Sequence, residues 1–259
     1  MTRDKPVLRT VAIIAAALFA VAVPVVQFAI GATPTGDTDL VREGASTLEA
    51  AGYAFSIWSL IYTGLIVYAI YQALPSTKET PGLRALGWPS VVSMMGCGLW
   101  LLAALYDVKL ATMLIIIGAA SALCVPLTRR HAVQHRADFW LVVAPLSMLA
   151  GWLTIASAIN TLTVLTSWGV IDAGTAPAWA AGGVVAVVLV GVAIATISRN
   201  WVYPLPMAWG LAAVWVAEQT DRPNVALLAA GGAAVLLITA IWAGTRRRAA
   251  ATSPSAMTL

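Results

Sequence analysis

Residues 138–160 read DFWLVVAPLSMLAGWLTIASAIN, and the one charge in the stretch, Asp138, stands at its first position. At about 1.5 Å of rise per residue, a helix over this stretch crosses roughly 30 Å of hydrocarbon. In lipid every backbone amide must be bonded within its own segment or in a closed barrel, and the stretch lacks the dyad alternation of barrel strands, so it reads as a helix. Similar apolar runs lie near 10–31, 50–73, 87–106, 110–127, 179–197, 203–217 and 225–244, so the sequence predicts eight transmembrane helices. The seventh is short and opens on Pro204 and Pro206.

Composition excludes a soluble protein. Of 259 residues 60% are hydrophobic and 10% charged, against about 25% charged in an ordinary globular domain. The charges are confined to islands between the runs. Twelve Lys and Arg, among them Arg3, Lys78, Arg129, Arg199 and Arg246, fall on the side shared by both termini, and only Arg42, Lys109 and Arg222 on the other. That bias predicts cytoplasmic termini in a plasma (inner) membrane protein. The first run follows a basic start as a signal-peptide core does, but it is long for one and no small-x-small site ends it, so it reads as a retained span. The pI near 9.3 does not predict a nucleic-acid partner, because the basic residues are scattered over short loops without interleaved aromatics; the bilayer and its anionic headgroups account for them.

The external segment 32–49, ATPTGDTDLVREGASTLE, is long for a connector and reads as a solvated linker or a lid. The link 75–86 reads as a turn-rich loop on Pro75, Pro81 and Gly82, and 161–177 as a segment along the outer interface. Small residues are dense in the spans, which lets helices approach closely and would suit a homodimer face as well as internal packing.

Chemistry by ionisable side chains is not predicted: the span centres carry none, which argues against ion-coupled transport. Cys97 and Cys124 read as small apolar filler. His131 and His135, at i and i+4, share a helical face but sit among arginines with no third ligand, so no metal site is predicted. What stands out is tryptophan, eleven residues. Trp88, Trp140, Trp168, Trp179, Trp201 and Trp242 lie near span ends, where interfacial belts form. Trp58, Trp100, Trp152 and Trp209 lie deeper, where an indole N–H needs a partner or a polar cavity. Phe55, Trp58 and Tyr62 follow a three-four rhythm on one helical face, and Trp152, Ala156 and Asn160 are successive i+4 steps on another. Such faces build a slot for a planar ligand or serve as ordinary helix packing.

These residues resemble the TspO/MBR family, the tryptophan-rich sensory or translocator proteins. IWSLIY at 57–62 is similar to that family's VWxxLY, WLTIASAIN at 152–160 keeps the spacing of its WxxFAxxLN, and Trp100 resembles the Trp of its NxxW. Cys97 replaces the Asn of NxxW, Ile155 the Phe of WxxFA, and Met148 the Pro four residues before Trp152. The sterol-recognition pattern that some members carry after this helix is missing from TLTVLTSWGV at 161–170.

The resemblance covers roughly residues 8–160 and implies an all-α fold: a TspO-like five-helix bundle over 1–160, with a further three-helix membrane module at 161–245 and an unpacked cytoplasmic tail at 246–259. It implies a cavity roofed by the loop between the first two helices. The function it implies is binding, sensing or passive transport of a planar apolar ligand, a tetrapyrrole such as protoporphyrin or haem, with no obligatory cofactor. Trp58, Tyr62, Trp100 and Trp152 would supply ring faces, Phe55 and Ala156 the wall and its clearance, and Asn160 a polar contact. Two alternatives stay open: light-dependent porphyrin degradation, and a structural or partner-docking protein with a vestigial cavity. Trp209 and Trp215 would complete the cavity or build a second one.

Overall fold

The computed structural model describes residues 6–31, 47–77, 80–129 and 136–252. Most of the external segment 32–49, both histidines and the end of the tail lie outside the described residues. The described residues form eight helices: α1 (Pro6–Ala29), α2 (Ile57–Ala73), α3 (Pro81–Leu105), α4 (Lys109–Thr128), α5 (Arg136–Ser167), α6 (Ala176–Ser198), α7 (Pro204–Glu218) and α8 (Pro223–Thr252). All except α7 are long and apolar enough to cross a membrane.

The helices alternate in direction. At one end of the bundle the Gln72 amide at the close of α2 donates to the Thr10 carbonyl at the start of α1. At the same end Asp138, opening α5, accepts from the Thr80 hydroxyl at 2.7 Å and the Gly82 N–H at 3.1 Å. Gly244 near the end of α8 packs there against Trp201. At the opposite end the Gln27 amide of α1 donates to the Leu101 carbonyl of α3, and Thr166 of α5 meets Thr47. The first and last helices therefore begin and end on one face, as an even number of crossings requires.

Two helices extend past the expected bounds. The link 75–86 is not all loop, because Thr80 accepts the Leu83 N–H as an N-cap and Pro81 occupies the first turn, where its missing N–H costs nothing. Beyond residue 160, α5 continues to Ser167 because the hydroxyls of Thr161, Thr163 and Thr166 fold back onto the carbonyls four residues earlier. Polar residues that suggest an interface segment are thereby accommodated inside a helix. This helix is also the most enclosed, packed by α2, α4, α6 and α7. Its π-helical turn at Phe139–Val143 precedes Pro145, which has no N–H to give to a regular turn.

With 15 residues, α7 is only about 22 Å long, yet it joins the two ends of the bundle. Residues 200–203, which are not helical, make up the shortfall. The Asn200 side chain accepts the Val202 N–H at 3.1 Å and donates to Ser147 of α5 at 2.6 Å, and Asn200, Val202 and Tyr203 are all buried. Irregular backbone at membrane depth is tolerated when enclosed by protein in this way. Gly151 makes the approach sterically open, since a Cβ there would overlap the Tyr203 carbonyl oxygen.

Candidate functional site

A cavity of about 250 Å³ lies within the first five helices. It begins with Phe55, in the 3₁₀ turn Gly52–Ser56 that leads into α2, and continues along α2 with Trp58 and Tyr62. From α3 come Cys97, Trp100 and Leu101, from α4 Ile116 and Ala119, from α5 Trp152, Leu153 and Ala156, and from α1 Pro24. Within each helix these positions recur at three- or four-residue intervals, so each helix turns one face to the space. Gly96 lets α3 and α4 close against each other below it, as a Cβ there would fall 2.6 Å from that of Ala119.

The rings are arranged edge to face. Trp58 and Tyr62 stack with centroids 5.0 Å apart and 23° between planes. Trp152 stands edge-on to both Trp58, at 6.3 Å and 84°, and Phe55, at 6.2 Å and 82°. Such offset and perpendicular contacts are the favoured arrangements of aromatic quadrupoles, and they leave two ring orientations facing one space.

Six of the seven residues singled out in the sequence line the cavity: Phe55, Trp58, Tyr62, Trp100, Trp152 and Ala156. Asn160 is not among the lining residues. Its Oδ1 accepts the Trp100 indole N–H at 3.2 Å, and its Nδ2 donates to the buried Thr112 hydroxyl at 3.3 Å, which itself donates to the Lys109 carbonyl at 2.7 Å. The amide therefore fixes the plane of Trp100 from behind. The sequence reading did not single out Pro24, Gly96, Leu101, Ile116, Ala119 or Leu153, and it read Cys97 as apolar filler, although Cys97 stands one turn before Trp100 and so shares its face.

The four deep tryptophans divide into two pairs. Trp100 is satisfied by Asn160, and Trp209 donates to the Ala54 carbonyl at 3.1 Å and meets Tyr53 edge-on at 5.3 Å. Trp209 thus does not line this cavity. Trp58 and Trp152 line the cavity, and among the described residues neither indole N–H has a hydrogen-bond partner. The Tyr62 hydroxyl is in the same position.

Among the described residues no cluster of His, Cys, Asp or Glu could hold a metal ion. No curated protein and no solved structure matches the chain. The family described as TSPO-like protein matches residues 6–242, so the match takes in all eight helices and runs past the five that enclose the cavity. The chain belongs to the TSPO-like protein family, and with it to membrane-embedded binders and transporters.

Proposed function

We propose that the protein binds a planar, mostly apolar ligand with hydrogen-bond acceptors at its edge, a tetrapyrrole such as protoporphyrin or haem, and senses it or lets it cross the membrane passively. The observation that carries this reading is the convergence of the rings of Phe55, Trp58, Tyr62, Trp100 and Trp152 on one cavity. Among the described residues neither Trp58 nor Trp152 gives its indole N–H to a protein acceptor, so acceptor atoms at a ligand's edge would suit both. The perpendicular rings favour a flat molecule, which can stack on one face while meeting the edge of the next. The volume of about 250 Å³ is just under the roughly 300–1,000 Å³ of typical small-molecule sites. A macrocycle therefore enters by one edge, with the remainder toward the partly exposed Phe55. The surplus of Lys and Arg on the face of both termini supports a plasma-membrane orientation with that face in the cytoplasm.

Tryptophan-fluorescence titration of the purified protein with protoporphyrin, haem and a sterol, corrected for inner-filter effects, tests the proposal. Saturable quenching by the tetrapyrroles, weakened at least about tenfold or 1.4 kcal/mol in folded Trp58→Ala and Trp152→Ala, is the expected result. Binding indifferent to both substitutions, or no saturable binding, overturns it.

A further inference from the structure

Residues 47–56 form a strap that runs from the end of the external segment to α2 and carries Phe55 into the cavity wall. The strap is held by the far end of the chain. Arg222 Nη1 donates to the Thr47 carbonyl at 2.6 Å, the Glu49 N–H donates to Glu218 Oε1 at 2.8 Å, and the Ala51 N–H donates to the Ala213 carbonyl at 3.1 Å. The indole of Trp209 then donates to the Ala54 carbonyl at 3.1 Å, immediately before Phe55. Glu218, 2% exposed, is itself fixed by Arg222 at 2.7 Å. Between these bonds Leu48 is buried near Leu162 and Gly183, and Tyr53 packs on Trp209. Helix α7 and the turn after it thus stand behind the cavity wall and hold the strap that carries Phe55.

We infer that Trp209, Glu218 and Arg222 are positioning residues that latch this strap and so set the rate at which molecules enter and leave the cavity. The inference rests on the reading of the cavity as a ligand site. Residues 52–56 of the strap are closed by their own 3₁₀ bonds, whereas residues 47–51 are not helical and are held by Arg222, Glu218 and the Ala213 carbonyl. Trp209, Glu218 and Arg222 are not among the residues that line the cavity, so loss of their bonds acts on the barrier to exchange and not on contacts with the ligand.

The native Cys97 on the cavity wall reports access without any ligand, and Cys124, away from the cavity, is the internal control. The test compares wild type with Arg222→Met, which keeps the aliphatic stem, and with Trp209→Phe, which keeps the ring and removes the donor. Site-resolved alkylation by N-ethylmaleimide is followed by mass spectrometry, with hydrogen exchange of 47–56 measured on the same samples. In both variants Cys97 should react at least fivefold faster with Cys124 unchanged, as protection of 47–56 falls at least tenfold. With protoporphyrin, association and dissociation should both accelerate about tenfold while Kd shifts less than threefold.

If the strap is released and Cys97 reacts no faster, if both cysteines accelerate together, or if neither variant loosens the strap, the latch is overturned. Should one variant fail to fold, the other decides. If wild type does not bind protoporphyrin, the tetrapyrrole reading fails, and the alkylation result still decides the latch.

Discussion

The Asn160 side chain accepts the Trp100 indole N–H at 3.2 Å, bridging α5 and α3 at the side of the cavity. A residue whose spacing suggests contact with the ligand therefore orients a ring that makes the contact. Asn160→Leu leaves that N–H without its acceptor, while the Thr112 hydroxyl keeps the Lys109 carbonyl, and one unsatisfied buried group costs about 1–3 kcal/mol. The unfolding midpoint in a denaturing-detergent titration should fall accordingly, with ligand affinity kept within about threefold. A large loss of affinity at unchanged stability would return Asn160 to the ligand's surface.

Trp152→Phe separates the donor from the ring. The aromatic face that meets Trp58 and Phe55 is largely kept, and the free N–H is lost. A ligand with acceptor atoms should bind about fivefold more weakly, which corresponds to the roughly 1 kcal/mol net worth of one hydrogen bond. An aromatic hydrocarbon such as pyrene should bind equally well to both proteins. Parallel fluorescence titrations with the two ligands check this.

Ala156 supplies clearance. Three extra carbons in Ala156→Leu would occupy part of a space of about 250 Å³ without displacing a packed neighbour. Filling a cavity commonly adds about 0.5–2 kcal/mol of stability. The variant should unfold no earlier than wild type and bind protoporphyrin at least tenfold more weakly, measured by thermal unfolding and titration of one preparation.

At the start of α6, the exposed Asp172 carboxylate accepts the Thr175 N–H at 2.8 Å. That backbone bond, followed by the Thr175 side chain, holds the carboxyl below its ordinary value of 3.8. A group lowered in the folded state stabilises it above the ordinary value, and the contribution disappears as pH falls through the lowered one. The first turn of α6 should thus be fully held at pH 5 and loosen only below about 3.8. Fluorescence of Trp179, in that turn, should show an acid transition in wild type that Asp172→Asn flattens.

The crossings and the aromatic faces were legible in the sequence because both are periodic. Apolar runs of membrane length have one stable form in lipid, and Trp58 and Tyr62, one turn apart, share a side of one helix, with Phe55 in the 3₁₀ turn that leads into it. Contacts between distant segments carry no such signal. Nothing local in Glu218 or Arg222 announces Glu49 and Thr47 as partners, and Asn160 has the same spacing whether it faces the cavity or Trp100. The shortness of the seventh run was visible, but its completion by Asn200 and Ser147 depends on where α5 lies.

That completion bears on how the protein is made. Among residues 200–203 the Val202 N–H is taken up by the Asn200 side chain, which Ser147 of α5 holds in place, so α7 leaving the translocation machinery lacks the neighbour that completes its crossing of the hydrocarbon. That crossing is complete only against an α5 already in the bilayer. The last hairpin of the chain is therefore a late arrival in biogenesis, and the strap it fastens, with the cavity wall that strap carries, is not fully set until synthesis has passed Arg222.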